Sequence, residues 1–137
     1  MAKILISGLK QTLFKDKIYN DYIILPIPLH KKKFKERGFN QAELLSLEVA
    51  KYFELACLNN IIIRIKKTKS QMSLNPIYRR KNIKGAFVCD KPEIIKDKKI
   101  ILIDDVCTTS STLEECAKAI YGYGPREIWG LVLARGK

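Results

Sequence analysis

Residues 100–112 read Ile-Ile-Leu-Ile-Asp-Asp-Val-Cys-Thr-Thr-Ser-Ser-Thr and decide the fold of this 137-residue chain. The four apolar β-forming residues predict a buried strand of a parallel sheet, and two carboxylates, Asp104 and Asp105, follow them directly. A hydroxyl-rich loop comes next, and a helical pattern begins at Leu113. In open α/β sheets ligands bind beyond the carboxyl ends of such strands. The stretch therefore predicts a fold class and the place of a site.

The side chains of this stretch suit a sugar phosphate. Two adjacent carboxylates can each accept hydrogen bonds from a ribose hydroxyl. The loop and the helix start can present N–H groups and hydroxyls to a phosphate, aided by the helix dipole. The alternative is a plain strand and a capped helix, with Ser110 or Ser111 as the N-cap. Buried strand ends rarely carry unpaired carboxylates without a ligand, so we favour a ribose 5-phosphate site.

Strands and helices alternate along the rest of the chain, which implies a mostly parallel sheet covered by helices on both faces. Helical patterns are predicted within 1–20 and over 40–58 and 111–121, and strands over 22–27, 61–65, 85–89, 100–103 and 127–134. Residues 28–38 and 66–84 are basic and aperiodic, and both are predicted as loops. One domain spanning residues 1–137 is the simplest division.

The composition limits the classes of function. The net charge is +12, and two clustered basic runs favour the binding of phosphate groups. Contact with nucleic acid, or lysines that are simply exposed to solvent, are the alternatives. The apolar runs are shorter than the ~20 residues that span a membrane, and the start does not resemble a signal peptide. We therefore expect no membrane insertion and a cytoplasmic location. The four cysteines lack the C-x-x-C spacing of a zinc site.

A second unit joins residues 26–30, Pro-Ile-Pro-Leu-His, to residues 37–41, Arg-Gly-Phe-Asn-Gln. A strand that ends in prolines and leads into a helix can bind a second anion through backbone N–H groups. Arg37 suits a bidentate phosphate contact, and Asn40 is predicted as a helix N-cap. His30, the only histidine, is expected to pin the loop or to contact an anion rather than act as a base.

Residues 100–112 resemble the phosphoribosyl pyrophosphate (PRPP) signature of type I phosphoribosyltransferases. Twelve of the thirteen positions fit, and Ser110 stands where those proteins usually have glycine. Glycine reaches a positive φ without strain, whereas serine does so at some cost.

The second unit is similar to the ComF family, the amidophosphoribosyltransferase-like competence proteins. A third element, with Gln71, Arg79 and Asn82 before Gly85-Ala86-Phe87, matches the same family, and the resemblance spans roughly residues 22–135. Many ComF proteins begin with a four-cysteine zinc module, which is not in this sequence. The chain is expected to be a short family member or one truncated at its start.

The resemblance implies a type I phosphoribosyltransferase fold, with residues 66–84 as a flexible hood and Mg²⁺ bound mainly through PRPP. Asp104 and Asp105 would bind the ribose hydroxyls and, with Arg37, would be the catalytic residues. The 5′-phosphate would lie on Thr108, Thr109, Ser110, Ser111 and Thr112. The pyrophosphate loop and hood would use Pro28, His30, Arg37, Gln71, Arg79 and Asn82.

Two functions follow as expectations. One is a glycosyltransferase that moves ribose 5-phosphate from Mg-PRPP to an acceptor and releases pyrophosphate. The other is a non-catalytic protein that binds PRPP or a nucleotide, or an accessory to DNA uptake, as the competence association implies. Ser110, the basic surface and Thr108, where purine phosphoribosyltransferases usually carry a third acid, are compatible with the second. The acceptor and the oligomeric state stay open, although type I members often form homodimers.

Overall fold

The computed structural model describes residues 2–12, 21–66, 75–107 and 110–135. Each element of this part begins and ends as follows: α1 Ala2–Gln11, β1 Tyr22–Pro26, α2 Lys31–Arg37, α3 Gln41–Phe53, β2 Ala56–Cys57, β3 Ile62–Arg64, α4 Pro76–Ile83, β4 Phe87–Cys89, α5 Pro92–Ile95, β5 Lys99–Cys107, α6 Ser111–Tyr121 and β6 Glu127–Arg135. None of the helices in these ranges has the length and apolar composition needed to traverse a bilayer.

The central sheet has the strand order β2-β1-β5-β6, and all of its pairings are parallel. β5 lies between β1 and β6, and Ile101 pairs with Ile24 on one side and with Trp129 on the other. Residues 100–103 are all fully buried, because both faces of this strand are covered. This explains why the strand has a continuous apolar run rather than alternating apolar and polar residues. The predicted α/β class with a mostly parallel sheet is confirmed.

The two faces of the sheet carry separate cores. On one face, α3 packs against β1 and β5, where Ile24, Ile101 and Ile103 lie, and α1 packs against α3 and β6. On the other, α6 and the ribbon of β3 and β4 pack against Leu25, Leu102 and neighbouring residues. This alternation along β1 and β5 places successive side chains on opposite faces, as the pleat requires.

β3 and β4 form an antiparallel ribbon apart from the central sheet, and Arg64 pairs with Phe87 at one end of it. The chain between them includes the segment 66–84 that the sequence predicts as a hood loop. Its described part is not simply a loop, since α4 occupies Pro76–Ile83. Asn75 caps this helix, because its side chain accepts a 3.0 Å hydrogen bond from the N–H of Tyr78.

Two other predictions are corrected. The basic stretch 28–38 contains α2, which His30 caps at its start and Gly38, at φ +77°, closes at its end. α3 ends at Phe53 rather than near residue 58, since Glu54 adopts a left-handed conformation there. Helix α1 keeps Leu5 and Leu9 in the core, whereas Ile4 is exposed.

Candidate functional site

The acid pair lies within β5 rather than beyond it. The sequence predicts that the strand ends at Ile103, but the ladder with β6 continues past Asp104, which pairs with Val132, to Cys107. Both carboxyl groups are half-buried. Each accepts a hydrogen bond from the next residue's backbone N–H: Asp104 Oδ1 from Asp105 at 2.8 Å, and Asp105 Oδ1 from Val106 at 2.9 Å.

Burial and the neighbouring Asp105 raise the pKa of the Asp104 carboxyl from 3.8 to about 7. The hydrogen bond from the Asp105 backbone and the positive charge of Arg64 act in the opposite direction. Two adjacent carboxyl groups in a half-buried position repel each other when both are charged. The raised pKa of Asp104 means that this carboxyl group gains or loses its proton near neutral pH.

Ser110 follows the acid pair in the sequence and lies directly before helix α6. It occupies the N-cap position of α6 with φ +62° and ψ 2°, a left-handed conformation, and its carbonyl accepts a 2.9 Å hydrogen bond from Glu114 N–H. Ser111 is only 3% exposed, and Thr112 is half-buried. Thr108 and Thr109 lie outside the described residues. The chain thus adopts a backbone geometry at Ser110 that glycine favours, with serine in place.

The end of β1 is held beside the end of β5. The N–H of Ile27 donates a 2.9 Å hydrogen bond to the carbonyl of Ile103, immediately before the acid pair. Pro28 and His30 follow within three residues. His30 pins this loop, since its Nδ1 accepts a 3.2 Å hydrogen bond from Lys32 N–H. The structure thus brings Pro28 and His30 to the same edge of the sheet as Asp104.

Asn40 and Arg37 differ in burial, since Asn40 is buried at the start of α3 and Arg37 is exposed at the end of α2. Asn40 caps α3 as predicted, with Oδ1 accepting from Ala42 N–H at 3.1 Å. Its Nδ2 also donates to the Ile27 carbonyl at 3.0 Å, a long-range contact that the sequence does not show. Arg37 is exposed at the last turn of α2, about 9 Å along the helix from its start. The helix thus separates Arg37 from His30, and its phosphate role stays a prediction.

The hood residues are described only in part. Gln71 lies outside the described residues, and so does the side chain of Arg79, whose backbone belongs to α4. Asn82 is half-buried on the same helix. The exit from α4 is fixed to α6, because Gly85 N–H donates a 3.2 Å hydrogen bond to Glu115 Oε2 and Ile83 is fully buried. The segment is therefore anchored on the helix that begins at Ser111.

Arg64 is a residue of this site that the sequence analysis missed. It is half-buried at the end of β3, with its guanidinium carbon 5.4 Å from the centre of the Phe87 ring. Its charge lowers the pKa of Asp104, while its own pKa is lowered by burial. A single arginine within the β-branched run 61–65 is the signal that could have found it. Its partner across the ribbon, Phe87, is 23 positions away and could not be inferred locally.

The carboxylates near the end of β5 are the candidate protein ligands for the Mg²⁺ ion expected from the sequence. The described residues contain no group of three or more His, Cys, Asp or Glu side chains arranged to hold an ion. The two carboxylates are hard oxygen donors of the kind that Mg²⁺ prefers, but they are too few to enclose it. This set fits an ion held mainly by the oxygens of a bound phosphate compound.

Comparison with known proteins identifies the family. A family model described as phosphoribosyl transferase domain matches residues 35–137. Competence protein F of Haemophilus influenzae is 41% identical over 115 residues, covering 81% of this chain and 50% of that protein. Competence protein ComFC of Bacillus subtilis is 35% identical over 112 residues, covering 79% and 42%. DNA utilization protein YhgH of Escherichia coli (strain K12) is 29% identical over 110 residues, covering 79% and 48%. The chain spans about half the length of these curated relatives.

Solved structures agree on the fold. A purine phosphoribosyltransferase from Pyrococcus horikoshii superposes with a TM-score of 0.60 at 18% identity, covering 98% of this chain and 73% of that one. Adenine phosphoribosyltransferase from Saccharomyces cerevisiae gives 0.61 at 11% identity, covering 98% and 69%. These likenesses show the type I phosphoribosyltransferase fold. The family model over residues 35–137 and the 41% identity to competence protein F show that the chain belongs to the phosphoribosyl transferase domain family and, within it, to the ComF group of competence proteins.

Proposed function

We propose that this chain binds PRPP with Mg²⁺ and transfers its ribose 5-phosphate to an acceptor, releasing pyrophosphate. One observation carries the proposal: Asp104 and Asp105 lie near the carboxyl end of the central strand β5, which ends at Cys107, and the buried start of α6 follows at Ser111. The carboxylates suit ribose hydroxyls, and the helix start that follows them along the chain suits a phosphate.

Each part of PRPP has a counterpart in this arrangement. The ribose hydroxyls would donate to the carboxylates of Asp104 and Asp105, and the 5′-phosphate would lie on the loop of Thr108 to Thr112. Pyrophosphate would lie on the side of Pro28 and His30, where the Ile27–Ile103 hydrogen bond holds the end of β1 against β5. Mg²⁺, when bound through PRPP, would neutralise part of the pyrophosphate charge. Electrostatic stabilisation of the leaving group and of the ribosyl carbon would then supply most of the catalysis.

The hood would complete the site. Gln71, Arg79 and Asn82 are proposed to close over PRPP and exclude water, with Gly85 and Glu115 anchoring the segment on α6. Arg37, in the last turn of α2, is proposed to neutralise part of the charge of the departing pyrophosphate. The cytoplasmic location expected from the sequence belongs to this same proposal.

A second function is favoured by one specific observation. The relatives are called competence protein F and DNA utilization protein, and this chain carries a net charge of +12. A protein that binds PRPP or a nucleotide without turning it over, as an accessory to DNA uptake, would fit these names. Ser110 and the absence of an acid at Thr108 are compatible with it.

Calorimetric titration with PRPP and Mg²⁺ tests the binding. We expect saturable binding that weakens by about tenfold or more in Asp104→Asn/Asp105→Asn, since hydrogen bonds to charged groups are worth about 1.5–3 kcal/mol. Asp90→Asn is the matched control, because Asp90 is exposed at the far end of the β3–β4 ribbon. PRPP affinity that survives in the double variant would overturn the site.

Pyrophosphate release across a panel of nucleobases then separates the two functions. Release with one base supports transfer, and its loss in the double variant would locate the reaction at the acid pair. Binding of PRPP without release for any base favours the non-catalytic protein. Tight, salt-dependent DNA binding with no PRPP binding would exclude the enzyme.

A further inference from the structure

A cavity of about 430 Å³ lies beside the end of β1, between α2 and the chain that connects β2 to β3. Its floor is apolar and includes Leu25, Leu58 and Ile61. Protein sites for small organic ligands have volumes of roughly 300–1,000 Å³, with mostly apolar walls and a few convergent polar groups. This cavity meets both conditions.

One wall is a face of α2. Lys31, Phe34 and Lys35 line the cavity together, because residues three and four apart share a face of a helix. Within the described residues, neither lysine forms an ion pair with a carboxylate. The ring of Phe34 is 44% exposed beside them. This wall therefore offers two uncompensated positive charges and a flat apolar surface.

The opposite wall carries polar groups suited to the edge of a heterocycle. Glu43, in the first turn of α3, accepts a 2.8 Å hydrogen bond from Asn59 Nδ2, and both residues line the cavity with Asn60. A second carboxylate oxygen of Glu43 and the amide groups of Asn59 and Asn60 give donors and acceptors in one place. Such a set can read the hydrogen-bonding edge of a base.

We propose that this cavity is a second ligand site and that it takes a nucleoside phosphate. The phosphate lies on Lys31 and Lys35, the base lies against Phe34 and the apolar floor, and its edge meets Glu43 and Asn59. A bare phosphate would leave the apolar floor unused, and an apolar ligand would leave both lysines unused. A nucleoside phosphate uses all three surfaces at once.

The cavity is separate from the proposed ribose site. Its described lining includes none of Asp104, Asp105 or Ser110–Thr112, and it meets the proposed transfer site only at the Pro28–Leu29 loop. On the proposed function, that loop takes the leaving pyrophosphate, and an acceptor must approach the ribose from the opposite side. A ligand in this cavity is therefore not the acceptor.

Calorimetry with the four nucleoside 5′-monophosphates, without PRPP, tests the site. We expect at least one to bind, and we expect Lys35→Glu to weaken it by about tenfold or more. Lys32→Glu is the matched control, since Lys32 is exposed on the same helix and does not line the cavity. It should change the affinity less than about twofold. Equal losses in the two variants would assign the effect to net charge and overturn the proposal.

Three further measurements test the location of the ligand, the contact with its base and its source. Nucleotide binding that survives in Asp104→Asn/Asp105→Asn supports the cavity, whatever happens to PRPP, and its loss there would place the nucleotide in the ribose site and overturn the proposal. Glu43→Gln should change the preference among bases, with Glu48→Gln on the same helix as control. A 5′-phosphorylated oligonucleotide that binds as tightly as the mononucleotide identifies a nucleic-acid end, and a preference for the mononucleotide identifies a free metabolite. Failure of all four mononucleotides and of the oligonucleotide to bind would overturn the site.

Discussion

Asn40 Nδ2 donates a 3.0 Å hydrogen bond to the main-chain carbonyl of Ile27, and this bond fixes the start of α3 to the chain just beyond β1. Asn40 is only 9% exposed, and its Oδ1 accepts from Ala42 N–H at the same time. Ile27 is itself bonded to Ile103. One side chain thus holds the helix cap, the end of β1 and, through Ile27, the strand that carries the acid pair in one arrangement.

Asn40→Ala removes both hydrogen bonds and leaves the Ile27 carbonyl without this donor. We expect the free energy of unfolding to fall by about 2–3 kcal/mol, the sum of a lost cap and a lost buried hydrogen bond. Denaturant unfolding measures it. Asn75→Ala is the control, since Asn75 caps α4 in an exposed position, and its loss should cost about 0.5–1 kcal/mol. Equal costs for the two variants would contradict a linking role for Asn40.

Glu115 anchors the chain that leaves α4. Glu115→Ala removes the acceptor of the Gly85 N–H bond, so we expect hydrogen exchange at Gly85 and neighbouring amides to speed up by about tenfold or more. Glu114→Ala is the control, because Glu114 is exposed on the same turn of α6. Glu115→Gln, which keeps an acceptor oxygen, should restore most of the protection. Unchanged exchange in Glu115→Ala would show that Ile83 packing alone holds this segment.

The sequence correctly predicts those elements and caps that depend on a single local stretch of residues. The apolar run 100–103 places β5 at the centre of the sheet, and the side chain of Asn40 forms the predicted cap. The motif at residues 100–112 leads to the confirmed phosphoribosyltransferase family. These features depend on neighbouring residues or on a continuous apolar run, which sequence alone displays.

The features that the sequence missed depend on distant partners or on the two ends of a short element. β5 extends past Asp104 only because β6 continues to pair with it. Arg64 belongs to a ribbon that β3 forms with the distant strand β4, and its charge acts on Asp104. Helix α2 has no buried residue and therefore no apolar periodicity, so only its caps at His30 and Gly38 could have marked it.

The raised pKa of Asp104 predicts how stability depends on pH. When the pKa of a carboxyl group is higher in the folded chain than in the unfolded chain, the free energy of unfolding falls as the pH rises from the unfolded-state pKa to the folded-state pKa. For Asp104 this interval runs from 3.8 to about 7. Asp104→Asn removes the buried charge, so we expect it to stabilise the chain by about 1–3 kcal/mol at pH 8 and to change little near pH 4.

Denaturant unfolding at pH 4, 6 and 8 checks this prediction. Asp90→Asn, at an exposed carboxylate, should give a small difference that is the same at each pH. A stabilisation by Asp104→Asn that does not grow between pH 4 and pH 8 would show that Asp104 is ionised at no cost in the folded chain. A destabilisation at pH 8 would show that its charge is held by Arg64 and the Asp105 N–H more strongly than burial opposes it.

Ser110 carries backbone strain at the start of α6, because its φ of +62° lies in the left-handed region. At φ +62° an L-residue other than glycine loses roughly 1 kcal/mol relative to its preferred conformations. We expect Ser110→Gly to raise the free energy of unfolding by about 0.5–1 kcal/mol, and Ser110→Val to lower it by more than 1 kcal/mol because a β-branched side chain tolerates this φ poorly. Unfolding curves of both variants measure the difference. If glycine also tightens PRPP binding, the strain at Ser110 limits the phosphate loop itself. Destabilisation by glycine would instead show that interactions of the Ser110 side chain outweigh the strain.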